Sequence, residues 1–280
     1  MSLRNESLSN PDFDRLRSLI YTESGINLTA EKKTMLEIRL KRRMNNLHLA
    51  SYAGYCDYVF APGGRQKELV YLIDAVTTNK TDFFREAGHF DFLTSRVLPD
   101  LEIRAAGNRR PLFWSAGCSS GEEPYTLAMV LSEYAHLHQA FRFRLLATDI
   151  STAVLTKARM GIFKREVVAP VPKSLLHKYF MRSRDPASER FRVVPELRES
   201  IEFRRVNFMD ADFGLPEAPD VIFCRNVIIY FDRPTQIRLL QRLTRVLAPG
   251  GYFFAGHSES LQGMDLPLSP AGTAVYRKPG

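Results

Sequence analysis

From about residue 96 onward the chain alternates short apolar extended runs with amphipathic helical text, and that alternation leaves few folds open. The strand candidates are "PLFWSAG", "FRFRLLATD", "IEFRRVNF", "PDVIFCRNV" and "GGYFFAGH", followed by a last extended piece, "GTAVYRK". Helical periodicity lies between several of them, in "PYTLAMVLSEYAHLH", "STAVLTKARM" and "PTQIRLLQRLTRVLAPG". Strands this apolar need cover on both faces, so the expected fold is α/β with a doubly wound, mostly parallel sheet. Such sheets bind ligands at the carboxyl ends of their strands.

Two stretches depart from the alternation. Before it, "DFDRLRSLIYTESGI", "TAEKKTMLEIRLKRRMNNL", "SYAGYCDYVF" and "QKELVYLIDAVT" carry apolar residues at helical spacing. They predict a small all-helical N-terminal domain over 11–75, with 76–95 as a linker and 96–280 as the sheet domain. Residues 163–199 are too long for a connection and hold the charged turn "SRDPASER", which suggests an inserted antiparallel β-subdomain.

In the second helix Met35, Leu36, Leu40, Met44 and Leu47 supply the apolar stripe and leave Lys32, Lys33, Arg39, Arg42 and Arg43 largely outside. This basic face is either a solvated surface or a docking surface. The net charge of +8 favours an acidic partner: nucleic acid, an anionic membrane or an acidic protein face. No apolar run is long enough to span a bilayer and the N-terminus lacks a signal-peptide core, so a cytoplasmic protein without membrane insertion is expected. Cys56, Cys118 and Cys224 are odd in number and lack metal-ligand spacing; neither disulfides nor a metal site is expected. His136 and His138, the one close histidine pair, fall where a helix should end.

The strand ends carry the chemistry. "WSAGCSSGEEP" is a glycine-punctuated turn from strand to helix, but Glu122 and Glu123 stand where a phosphate loop would place donors and a Lys. Two carboxylates repel a pyrophosphate and attract a ligand with positive charge and hydroxyl donors, which S-adenosylmethionine offers; equally, they complement the helix dipole. Asp149 ends the second strand, where a carboxylate either accepts ribose hydroxyls or caps the next helix. Asn207 and Phe208 follow the third strand and suit an adenine edge, while Arg225 and Asn226 end the fourth. Tyr230 lies a few residues on, and "CRNVIIYF" lacks the proline pair expected of an amine methylase.

Taken in order, "TTNKTDFFRE", "WSAGCSSGEEPYTLA", "ATDIS", "LTKARMGIF", "FCRNVIIYFD" and "FFAGHSES" resemble the signature segments of the CheR-type chemoreceptor glutamate methyltransferases. The likeness runs from the N-terminal helices to "GTAVYRK". It implies an S-adenosylmethionine-dependent O-methyltransferase that esterifies glutamates on the cytoplasmic helices of chemoreceptors. By the same resemblance the cofactor site includes Asn79, Thr81, Arg85, one glutamate of "GEEP" (assigned to Glu123), Asp149, Asn207, Phe208, Arg225 and Asn226, and Arg85 and Tyr230 lie near the transferred methyl. Receptor binding falls to the basic helix, with Lys32, Lys33, Arg39, Arg42 and Arg43, and to the inserted subdomain. Some family members also hold a receptor C-terminal pentapeptide there, through a glycine-containing hairpin loop; "MRSRDPASERF" has no glycine.

A glutamate acceptor with a pKa near 4.3 is ionised at neutral pH and needs no general base, which accounts for the missing catalytic histidine or triad. A nucleic-acid methyltransferase is the competing enzyme, though no base-flipping or stacking apparatus stands out. A cofactor-binding scaffold and a dinucleotide oxidoreductase share the fold, and the retained acids and "GEEP" respectively speak against them.

Overall fold

The computed structural model describes residues 7–104, 109–185 and 188–280. Four helices open it: α1 (Asn10–Ser24), α2 (Lys33–Asn46, entered through a 3-10 turn), α3 (Tyr52–Phe60) and α4 (Gly64–Val76). Ser9 and Ser51 mark two of the starts, their hydroxyls accepting from the N–H groups of Asp12 and Gly54, donors that a helix cannot itself satisfy. A further helical stretch, α5 (Gly88–Phe92), a π-turn (Leu93–Val97) and α6 (Leu98–Arg104), runs straight across residue 96. Pro99, a breaker in isolation, lies inside this stretch, just after the π-turn that interrupts the regular α-helical hydrogen bonding.

The remainder runs β1 (Leu112–Ala116), α7 (Glu122–Leu137), β2 (Arg144–Asp149), α8 (Thr152–Met160), β3 (Ile162–Lys164), α9 (Arg165–Val168), α10 (Lys173–Tyr179), β4 (Phe180–Arg182), β5 (Arg190–Val193), α11 (Pro195–Glu199), β6 (Ile201–Arg205), β7 (Val221–Cys224), α12 (Arg233–Val246), β8 (Tyr252–Ala255), β9 (Ser269–Gly272) and β10 (Val275–Arg277). Seven strands form the main sheet in the order β6-β2-β1-β7-β8-β10-β9. The first five are parallel, while β10 pairs antiparallel with both β8 and β9. The last extended piece is thus one arm of a hairpin. Its other arm, β9, is exposed "SPAG", a string that reads as turn.

The chain goes outward from β1 through β2 to β6, then returns to β7 on the other side of β1. The switch point between β1 and β7 opens a crevice at their carboxyl ends. Side chains alternate between two cores: Leu112, Trp114, Ile222, Cys224 and Phe253 pack with α1–α4 and α12, while Phe113, Phe223 and Phe254 pack with α5–α7 and the small sheet. The N-terminal helices therefore share a core with one face of the sheet. The structure shows a separate antiparallel unit between Ile162 and Val193, three strands in the order β3-β5-β4; Pro186 and Ala187, in the charged stretch read as its turn, lie outside the described residues.

Candidate active site

One cleft at the switch point, about 930 Å³ of empty space with its open mouth included, gathers the strand ends. Its walls hold Gly117 after β1, Asp149 at the end of β2, Asn207 and Phe208 after β6, and Arg225, Asn226 and Tyr230 after β7. Asn79, Thr81, Arg85 and Glu123 line it as well, so every cofactor-site residue expected from the sequence borders the same space. Ser24, Ile26, Lys80 and Val227 also line it, and nothing in the sequence pointed to them.

The two glutamates of "GEEP" part company. Glu122 turns to the Ser120 hydroxyl at 2.7 Å and stays out of the cleft lining; burial pushes its carboxyl up against that hydrogen bond. Glu123 faces the cleft with both oxygens already engaged, Oε1 by the Ser115 hydroxyl at 2.7 Å and Oε2 by Arg225 Nε at 2.8 Å. Ser115 can do this because β1 alternates, sending Trp114 to one core and Ser115 towards α7. Arg225 is nearly enclosed, stacked over Phe90 and Phe223, and its Nη1 also donates to the Arg85 carbonyl at 2.8 Å and to His89 Nδ1 at 3.1 Å. A buried guanidinium so fully partnered fixes the wall.

His89 accepts from Arg225 on Nδ1, so its Nε2 carries the proton and donates to the Thr273 carbonyl at 3.1 Å. Burial, reinforced by the Arg225 charge, lowers its pKa to about 4. Glu86, His89 and His257 bring potential metal ligands within 4.8 Å of one another, but the Arg225 cation already fills that corner.

Asp149 does not cap α8. The cap of α8 is Ser151, whose hydroxyl accepts from Val154 N–H. Asp149 instead accepts from the N–H of Ser119 on Oδ2 and of Ser151 on Oδ1, both at 2.9 Å, which sets its carboxylate against the cleft. Burial pushes its carboxyl up while these N–H groups pull it down. Asn207 donates to the Glu23 carbonyl at 2.6 Å and accepts from Met209 N–H at 3.0 Å, tying the cleft to α1. Phe208 packs edge-on against Trp114.

Arg85 stands between two residues in left-handed backbone, Phe84 (φ 54) and Glu86 (φ 57), and donates from Nη1 to the Lys80 carbonyl at 3.1 Å. Non-glycine residues rarely adopt that conformation, and they do so chiefly where a site demands it. Burial raises the Tyr230 phenol above its usual range, while the Arg85 and Arg39 charges pull the other way; its hydroxyl donates to the Thr78 carbonyl at 3.3 Å.

The basic face is smaller than the sequence suggested. Arg43 is drawn inward onto Glu68, and Arg39 donates to the Ala75 and Thr77 carbonyls at 3.2 and 2.8 Å, bracing the linker. Lys33 donates to Asn10 at 2.7 Å, and Lys32 and Arg42 stay exposed. Helical periodicity alone places Arg39 and Arg43 outside; the buried Glu68 on α4 and the linker carbonyls pull them in.

The donor set fits S-adenosylmethionine: carboxylates at Glu123 and Asp149 for ammonium and hydroxyl donors, and a backbone at Gly117 (φ 92) where a Cβ would sit 2.5 Å from Val227 Cγ2. Comparisons agree. Residues 79–276 match the family described as "CheR methyltransferase, SAM binding domain", and residues 11–77 match "CheR methyltransferase, all-alpha domain". Chemotaxis protein methyltransferase 2 of Pseudomonas aeruginosa is 40% identical over 266 residues, 95% of this chain and 92% of that one. The chemotaxis protein methyltransferases of Borreliella burgdorferi and Escherichia coli are 39% and 38% identical, over 98% and 96% of this chain and 96% and 91% of theirs. The chain belongs to the CheR family of S-adenosylmethionine-dependent chemotaxis methyltransferases.

Proposed function

We propose that this cleft holds S-adenosylmethionine and that the enzyme methylates glutamate side chains on the cytoplasmic helices of chemoreceptors. The observation that carries it is the cleft's mixed polarity: buried carboxylates, Glu123 from the first turn of α7 and Asp149 from the end of β2, with Lys80 and Arg85 from the linker. The carboxylates suit a cationic nucleoside; the linker cations suit an anionic acceptor. When bound, the cofactor supplies an electrophilic methyl group on sulfonium sulfur. The acceptor carboxylate is ionised at neutral pH, so no side chain has to remove a proton. The chain's task is placement and exclusion of water, worth on the order of 7–11 kcal/mol when geometry is right.

Arg85 would orient the incoming carboxylate by a charge-assisted hydrogen bond, and the Tyr230 phenol, neutral at physiological pH, would border the reacting centre. Glu123, fixed by Ser115 and Arg225, keeps lone pairs for the ammonium group, and Asp149 for the ribose. Receptor helices rich in glutamate would meet the exposed Lys32 and Arg42 and the half-buried Lys33, just before the start of α2 and along it, in the cytoplasm where those helices lie. In the β-subdomain, a groove lined by Ile162, Met181, Arg190 and Phe191 beside the edge strand β4 suits an extended peptide, as a receptor tail would be.

Transfer of labelled methyl groups from S-adenosylmethionine to receptor-rich membranes, with nucleic acid in parallel, tests the function. Label should enter receptor protein and leave as methanol in mild base. Label in nucleic acid, or a base-stable product, would overturn the assignment. Comparing receptors with and without their C-terminal tails tests the groove: equal rates would remove it from recognition.

A further inference from the structure

The motif "FFAGHSES" contributed to family resemblance without gaining a role, and the structure gives one to its glutamate. Glu259 is 5% exposed, and its carboxylate accepts four backbone N–H groups. Oε2 takes those of Gly256 at 2.7 Å and Asn226 at 2.8 Å; Oε1 takes those of Val227 at 2.8 Å and Ile228 at 2.9 Å. Three consecutive donors belong to the turn after β7 and the fourth to the turn after β8. Because β7 and β8 are parallel neighbours, one anion fastens two adjacent strand ends.

The turns are shaped around it. Asn226 takes left-handed backbone (φ 58), which aims the three N–H groups inward. A Cβ at Gly256 would sit 2.7 Å from Asn226 Nδ2 and 2.9 Å from Glu259 Oε2, so this approach needs glycine. The fastened turn carries Asn226, Val227 and Tyr230 to the cleft wall, and Val227 fills the space over Gly117. An apolar side chain could plug the same hole, but it would strand four converging donors. A carboxylate is the one ordinary side chain with four acceptor sites on two oxygens.

We infer that Glu259 is a positioning residue for methyl transfer, a buried anion that sets the 226–230 wall of the cleft before any ligand arrives. This rests on the cleft being the place of cofactor and acceptor. Glu259→Gln keeps the shape and one acceptor oxygen but turns an amide NH2 against two N–H groups. The variant should unfold cooperatively and bind S-adenosylhomocysteine at unchanged stoichiometry, with an affinity and a kcat each lower by about ten-fold or more. A purely structural residue would lower the melting temperature and the active fraction while leaving affinity and kcat per binding site intact; that result overturns the inference.

Asp149→Asn run in parallel separates the two layers. If it binds like wild type, the cleft assignment has failed. If it loses binding while folded Glu259→Gln does not, only the role of Glu259 has failed. Should Glu259→Gln not fold, hydrogen exchange on the wild type decides. Amides of 226–228 protected in the ligand-free enzyme support a preset wall; amides that gain protection only with S-adenosylhomocysteine refute it.

Discussion

Arg43 on α2 grips Glu68 on α4 through two parallel hydrogen bonds, Nε to Oε1 at 2.8 Å and Nη2 to Oε2 at 2.7 Å. Tyr55 adds its hydroxyl to Oε1 at 3.0 Å, and the Tyr71 ring lies 3.5 Å from the guanidinium carbon. Glu68 is fully buried. Arg43→Ala would strand that charge, and removing one partner of such a pair costs about 3–5 kcal/mol. Chemical denaturation should show a lower midpoint with an unchanged slope.

Arg42, one position before it, is exposed, so a charge reversal there reports on docking alone. Arg42→Glu should leave stability within about 0.5 kcal/mol. Receptor methylation should slow, and its dependence on salt should flatten. Unchanged rate and salt dependence would remove α2 from receptor recognition.

Arg85→Ala should cut turnover on the order of 100-fold, because misplacing an acceptor by about an ångström is enough for that. Its melting temperature should stay near wild type, since among the described residues the Arg85 side chain makes one hydrogen bond, to the Lys80 carbonyl. Turnover close to wild type would take Arg85 out of the reaction.

Gly117 has φ 92, and a Cβ there would lie 2.5 Å from Val227 Cγ2. Gly117→Ala should cost about 1–3 kcal/mol in local strain. The strain falls on the cofactor loop, so calorimetric titration should show weaker S-adenosylhomocysteine binding. Wild-type affinity would mean that the loop tolerates a side chain facing the cleft.

His89 makes stability depend on mildly acidic pH. Its imidazole titrates near 6.5 when unfolded and at about 4 when buried beside Arg225, with Glu86 opposing and His257 adding to the downward shift. Between those values the unfolded chain takes a proton that the folded protein refuses. The contribution is therefore full above pH 6.5, declines as pH falls to about 4 and is gone below it. His89→Gln should flatten the slope of unfolding free energy against pH in that window; an unaltered slope would assign it to other groups.

How much of this was legible in sequence depends on the range of the interaction that decided it. The parallel strands and their polar ends were readable, because alternation and strand-end chemistry are local. Two elements hid behind local signals: Pro99 masked the helix at 88–104, and the proline and glycine of "SPAG" masked β9, which pairs only because β10 lies beside it. Long-range partners were invisible. Arg39 and Arg43 read as outward until α4 and its linker were in place. Ser24 and Ile26 joined the cleft from about 200 residues away in sequence from Tyr230, and Glu259 showed its role once two strand ends were side by side.

The segment after α1 is bonded to the far half of the chain: Asn27 N–H donates to the Tyr230 carbonyl at 2.9 Å, Ile26 pairs with Phe231, and Asn207 holds the Glu23 carbonyl. The opening helices thus roof the cleft at the strand ends. A fragment starting at residue 79 would bare one apolar face of the sheet and leave the cleft open to water. Ligand binding should accordingly raise the melting of both halves together, in a single transition.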